Sequence, residues 1–272
     1  MTSLVSTIYK PRAHLLAFVD ALGFSHEISN PKSDKIDTYL KTFDLLTKGW
    51  RGRGAKKNLK LSTIGDSIIL GIEIPGANTG GTMMPESQFD FFEALYNLSF
   101  AIAELQYGLA INNIWTRGAI TYGLVDFDPK IGRLLGPAFH RAYYLEQKIA
   151  RFPRVILDGG IVKAGSASTA HELVAKINNR GDTKTLFDFH DVPVLFDIPH
   201  DVPAFVDFGS WTAVRMGRSA LDALAVNLSA RFKGDAEHFH KYSWMAEYLL
   251  LSIRTSLYEN ELSTAIQLLQ EK

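Results

Sequence analysis

The chain has 272 residues, 46% of them hydrophobic and 21% charged, with 29 Lys+Arg against 29 Asp+Glu and no cysteine. These values describe a globular protein of one elaborated domain, or one domain with a helical appendage, and exclude a disordered or collagen-like chain. Zero net charge offers no bulk attraction to nucleic acid, and the lack of cysteine excludes disulfides, thiolate metal sites and thiol nucleophiles. No apolar run approaches the roughly 20 residues of a membrane span, and MTSLVSTIYKPRAH lacks an apolar signal core. A cytoplasmic protein with no membrane and no nucleic-acid partner is expected.

Leu15 to Val19 is a short apolar run that reads as a fully buried strand ending at Asp20. Residues 34 to 48 place Ile36, Tyr39, Leu40, Phe43 and Leu46 on one helical face, with Asp34 suited to the N-cap. A Gly-rich basic loop follows, carrying Lys48, Arg51, Arg53, Lys56 and Lys57. Leu59 to Ile64 and Ser67 to Ile74 form a hairpin about Gly65-Asp66. Residues 75 to 88 read as a loop, and Gln88 to Tyr107 as a long amphipathic helix. Ile114 to Val125 reads as a strand broken by Gly118 and Gly123, and 126 to 135 as a turn. Pro137 opens a helix to about Ala150, and Arg154 to Leu157 is a further strand.

The order β-α-ββ-α-β-α-β predicts an α+β sandwich, one antiparallel sheet covered by helices on one side. Beyond it, HDVPVLFDI and HDVPAFVDF form a near-repeat read as short strands, and two helices, 211 to 232 and 236 to 270, close the chain. The expected division is a core over 1–160 and a strand-and-helix extension of the same domain over 161–272.

Asp20 ends a buried run and Asp66 sits at a hairpin tip between apolar strands. A carboxylate there is costly to bury unpaired, and two of them repel. A divalent cation held by oxygen ligands, Mg²⁺ or Mn²⁺, relieves both problems. The alternative is a plain turn at Gly65-Asp66 and a cap at Asp20. Arg117, beside Trp115 in an apolar strand, requires an anionic partner, either a phosphate or a nearby carboxylate. His140 and Tyr144 share a helical face, as phosphate or base contacts or as half-buried packing residues. The paired HDVP segments suggest a His/Asp metal cluster, but the Pro two residues after each Asp reads more naturally as strand punctuation.

FVDALGF, STIGDSIIL, RGAITYG and GPAFHRAYYLE, in this order, resemble the catalytic domain of class III nucleotidyl cyclases over residues 14 to 157. PAFVDFGSW and FHKYSWMAEY are similar to a narrower branch, the pyrimidine cyclases of Pycsar anti-phage defence. The resemblance implies a ferredoxin-like antiparallel sheet with a C-terminal helical extension. It also implies two Mn²⁺ or Mg²⁺ ions per active site on Asp20, Asp66 and the Ala21 carbonyl, and a triphosphate contact from Arg117. A homodimer with shared active sites and a separate cyclic-nucleotide-sensing effector follow from it as well.

Departures from the purine cyclases concern the base. Their Lys four residues before the second metal Asp is Ser62 here, and their base-reading Asp is Arg133. Their transition-state Asn is His140, and the Arg after it is Tyr144. The catalytic set is then Asp20, Asp66, Arg117 and His140; Phe24, Trp50, Ser62, Arg133 and Tyr144 are the candidate substrate contacts. A pyrimidine triphosphate is expected, UTP before CTP, because Arg133 can donate to a base oxygen. The competing readings are a catalytically inactive nucleotide-binding module and a phosphohydrolase using the same two metals.

Overall fold

The computed structural model describes residues 9–24, 34–52, 58–76, 85–188, 204–234 and 239–270. Strand β1 (Arg12–Ala21) is apolar at seven of its ten positions and is buried from Ala13 through Val19. It leads to helix α1 (Asp34–Gly52), then to the hairpin β2 (Leu59–Ile64) and β3 (Ser67–Glu73). Helix α2 (Pro85–Ala110) precedes β4 (Thr116–Asp128) and β5 (Arg133–Leu135). Helix α3 (Pro137–Lys148) and strand β6 (Val155–Leu157) follow.

The first four strands lie in the order β2-β3-β1-β4, with all pairings antiparallel. This is the arrangement of the β-α-β-β-α-β unit. β6 joins β4 in parallel, and β8 (Phe205–Val206) and β7 (Leu186–Phe187) extend the same sheet beyond it.

Burial explains the layers. Leu15, Ala17, Val19 and Ala21 point to one face and Leu16 and Phe18 to the other. On the first face α2 contributes Phe91, Leu95, Leu98, Ile102, Leu105 and Leu109, every one inaccessible to solvent. At about 1.5–3 kcal/mol for each such side chain, this stripe is a principal hydrophobic contribution to the fold. On the opposite face α3 lays Ala138 and Ala142 over Leu16, Phe18, Ile69, Val125 and Phe127. Helices therefore cover both faces, not one as the sequence order suggested. A strand apolar on both sides requires this.

Three other expectations are corrected. β4 is continuous through Gly118 and Gly123. A Cβ at Gly118 would collide with the Phe18 carbonyl oxygen, so this glycine permits the close approach of β1 and is no strand break. The 126–135 stretch is mostly the β4–β5 hairpin, with Asp126 opposite Leu135 and Asp128 opposite Arg133. The two C-terminal helices are four: α6 (Phe208–Arg215), α7 (Arg218–Gly234), α8 (Phe239–Arg254) and α9 (Ser263–Gln270). Gly217, at φ +77°, separates α6 from α7.

Two further helices, α4 (Gly159–Ala164) and α5 (Ala170–Asn178), precede β7. Of the HDVP pair, residues 189–203 lie outside the described residues, as do Arg53, Lys56 and Lys57 of the basic loop. Asp207, expected in a strand, caps α6 by accepting the Ser210 N–H at 3.1 Å.

The C-terminal helices pack on α2. Trp211 meets Phe100 edge-on at 5.6 Å, and Arg231 donates to the Asn113 carbonyl at 2.7 Å. Tyr248, fully buried, donates to Asp207 at 2.6 Å and stacks on Trp244. Burial and the Asp207 charge push its phenol well above the usual range, so it stays a proton donor.

Candidate active site

The register of the sheet builds the site. Asp20, at the end of β1, stands opposite Ser67 of β3 on one side and Arg117 of β4 on the other. Ser67 donates its hydroxyl to Asp20 Oδ1 at 2.9 Å. Asp66 is brought alongside by a two-residue turn in which only Gly65 has positive φ (+61°), the pattern of type II′. Tyr39 of α1, buried against Phe24, donates its hydroxyl to the Asp66 carbonyl at 3.1 Å and fixes the turn to the helix.

The electrostatics match a cation site. Burial raises the Asp20 carboxyl above the usual range and the Asp66 charge adds to this, while Ser67 and Arg117 act against it. Burial and the same two carboxylates push the Tyr39 hydroxyl far up, so it remains a donor. Ser67 and Arg117 thus offset the cost of the Asp20 charge only in part, and the ligand atoms at hand are all oxygen. Asp20, Asp66 and the Ala21 carbonyl suit a hard divalent ion. Among the described residues no three His, Asp or Glu side chains gather as a metal cluster. The remaining ligands would then be water and substrate oxygens, as is usual for Mg²⁺.

Arg117 has a partner that the sequence reading did not single out. Its Nε lies 2.6 Å from Glu146 Oε1, and Glu146 is fully buried. Both alternatives left open for Arg117 were anions, and within this chain the anion is a carboxylate. The signal was present: Ala138, Ala142, Leu145 and Glu146 are the buried residues of α3, at i, i+4, i+7 and i+8. An acidic residue on the apolar stripe of a short helix calls for a buried cation. Burial raises the Glu146 carboxyl, Asp20 adds to the effect, and Arg117 opposes it.

Of the other predicted residues, His140, Tyr144, Arg133 and Trp50 are not gathered here. Phe24 is buried at the rim, its ring 4.9 Å from Tyr39. His140 is exposed on α3, in a shallow depression with Leu135 and Pro137. Six residues separate it from Glu146, about 9 Å of helix. Tyr144 is exposed on α3 beside Arg141, which pairs with Asp158.

Arg133 and Trp50 line a groove of about 640 Å³ at the other end of the sheet, with Lys60, Leu61 and Asp126. Ser62 does not line this groove; on β2 it stands opposite Ile69, two positions from the row that holds Ser67 and Asp20. Arg133 pairs through Nε with Asp126 at 3.0 Å, and Trp50 donates its indole N–H to Glu104 at 2.7 Å. Arg133 lies opposite Asp128, eleven residues along β4 from Arg117, or about 36 Å of extended strand. One chain therefore carries a carboxylate end and a groove end that do not meet.

No helix among the described residues is long and apolar enough to cross a membrane. No family model matches the chain, and no curated protein matches its sequence. Among solved structures it is similar to the catalytic core of a rhodopsin-guanylyl cyclase with converted specificity, in complex with ATPαS. That likeness has 15% identity over 74% of this chain and 98% of the other, with a TM-score of 0.40. It is also similar to a bacterial light-regulated adenylyl cyclase, at 15% identity over 59% and 82%, TM-score 0.37. A third is the adenylyl cyclase CyaB from P. aeruginosa, at 14% identity over 57% and 81%, TM-score 0.38.

Proposed function

We propose that this chain is a class III-type nucleotide cyclase that converts a pyrimidine triphosphate, UTP before CTP, to its 3′,5′-cyclic monophosphate and pyrophosphate. The observation that carries the reading is the register that sets Asp20 beside Ser67, Asp66 and Arg117 at one end of the sheet. These residues belong to three of the four blocks that resemble the cyclase family.

Divalent ions on Asp20 and Asp66 would supply charge neutralisation for the triphosphate and acidify the ribose 3′-OH. The chain's own work is positioning and charge stabilisation. Arg117 binds phosphate oxygens, Ser67 holds the Asp20 carboxylate, and Tyr39 holds the turn that carries Asp66 by its backbone carbonyl. The ribose 3′-oxygen attacks the α-phosphorus in line, the bond to the β-phosphate oxygen breaks, and the 3′ proton passes to water.

The groove end supplies the base contacts. Asp126 Oδ2 accepts the Lys10 N–H at 3.0 Å and lies 3.0 Å from Arg133 Nε, so the groove pairs its carboxylate with a cation. Arg133 keeps further N–H groups for the uracil carbonyl. Two copies of the chain, arranged with opposite ends together, unite the halves. Leu135, Ile131, Tyr143 and Tyr144 on β5, α3 and the turn between β4 and β5 are apolar and between 45% and 65% exposed, a surface suited to a second copy. His140 and Tyr144, on the same surface, reach the partner's carboxylate end in this arrangement. The product is a second messenger of antiviral defence, read by a separate effector.

The test is pyrophosphate release from each of the four nucleoside triphosphates with Mn²⁺. Release coupled to a cyclic pyrimidine monophosphate supports the reading. Free phosphate, or retained nucleotide without release, overturns it.

A further inference from the structure

Glu146 is buried on the sheet-facing side of α3, with Oε1 2.6 Å from Arg117 Nε and Oε2 accepting from Gln147 Nε2 at 2.7 Å. Arg117 is one-fifth exposed and lies cross-strand from Asp20. The pair therefore joins an enclosed carboxylate to a cation at the rim of the site.

Two roles fit such a contact. Glu146 either competes with substrate for the guanidinium or anchors it. Burial decides between them. If Arg117 swung away to meet a phosphate, Glu146 would be left as an uncompensated charge with no water to solvate it. The guanidinium stays, and because the contact is made through Nε, its two terminal nitrogens are the edge available to phosphate oxygens.

We propose that Glu146 is the positioning residue for Arg117, fixing the guanidinium by its Nε edge so that the terminal nitrogens meet the triphosphate in one orientation. The inference rests on the cyclase reading of Arg117 and deepens it. Glu146 touches neither substrate nor metal in this role and acts only through Arg117.

The experiment is a double-mutant cycle on the full chain with Glu146→Gln, Arg117→Gln and the pair combined. Two quantities are read: kcat and KM for the triphosphate that the wild type turns over, and calorimetric binding of inorganic tripolyphosphate with Mg²⁺. Glu146→Gln alone lowers kcat/KM at least tenfold; in the Arg117→Gln background it changes kcat/KM less than twofold. Tripolyphosphate binding shows the same non-additivity.

Equal losses in both backgrounds, or no loss from the single substitution, overturn the proposal. Should Glu146→Gln fail to fold, Glu146→Asp keeps the buried charge and withdraws it by one methylene. It then lowers kcat at least fivefold with KM within twofold, and an unchanged kcat overturns the positioning role. A wild type that makes no cyclic product refutes the cyclase reading, and the coupling in tripolyphosphate binding still decides the role of Glu146.

Discussion

Replacing Arg117 by Met removes the cation beside a carboxylate that has no access to solvent. Breaking a buried ion pair from one side costs about 3–5 kcal/mol, because the remaining charge is stranded. For a chain of this size each kcal/mol is about 2–4 °C, so the melting temperature falls by roughly 6–20 °C. The double variant Arg117→Met/Glu146→Gln buries no charge and recovers most of the loss.

The pH dependence has a definite sign. Burial already holds the Glu146 carboxyl above its ordinary range, and losing Arg117 raises it further. The folded variant then binds a proton that the unfolded chain releases, so its stability rises as pH falls from neutral towards about 4.3. Differential scanning calorimetry between pH 5 and 8 on the three proteins measures this. A loss independent of pH, or a double variant as unstable as the single one, would refute the argument that Glu146 carries the penalty.

Asp20→Asn and Asp66→Asn each lower turnover at least about a thousandfold, roughly 4 kcal/mol of barrier, with circular dichroism unchanged. Burial and Asp66 disfavour the Asp20 charge, so Asp20→Asn does not lower the metal-free melting temperature at neutral pH, and any gain shrinks as pH falls; a marked loss would contradict this. Gly118→Ala places a Cβ against the Phe18 carbonyl and 3.0 Å from Val19 Cα, and urea unfolding shows a cost of about 1–3 kcal/mol. Leu135→Glu, at an exposed apolar position of β5, leaves the fold intact and yields a monomer by light scattering, with lost activity. Mixing inactive Asp20→Asn with inactive Arg133→Ala restores about one quarter of wild-type activity, because half the dimers are mixed and one of their two sites is intact; no recovery would contradict shared sites.

The early part of the fold was legible because its signals are local. The β1 run, the Gly65-Asp66 hairpin and the apolar period of α2 each announce an element within ten to twenty residues. The second covered face was implied by the same β1 run, whose burial on both sides requires α3 on the far face. The segmentation after residue 158 was not legible, since the breaks at Gly217 and at 255–262 interrupt an amphipathic pattern without ending it.

At the site, Asp20 and Asp66 are visible as carboxylates at the ends of apolar strands. Their proximity depends on the register Asp20–Ser67, which no single segment encodes. Glu146 was passed over because the helix was read from its exposed His140–Tyr144 face and not from its alanine stripe. The separation of Arg133 from Arg117 along β4 became evident only once β4 proved continuous through both glycines.

The most direct test is a competition. The purified chain receives equimolar ATP, GTP, CTP and UTP with Mn²⁺, beside the Asp66→Asn variant, and products are identified by mass spectrometry. The account predicts one cyclic pyrimidine monophosphate, chiefly cyclic UMP, from the wild type and none from the variant. A cyclic purine would contradict the reading of Ser62 and Arg133, and a cyclic product from the variant would contradict the carboxylate site itself.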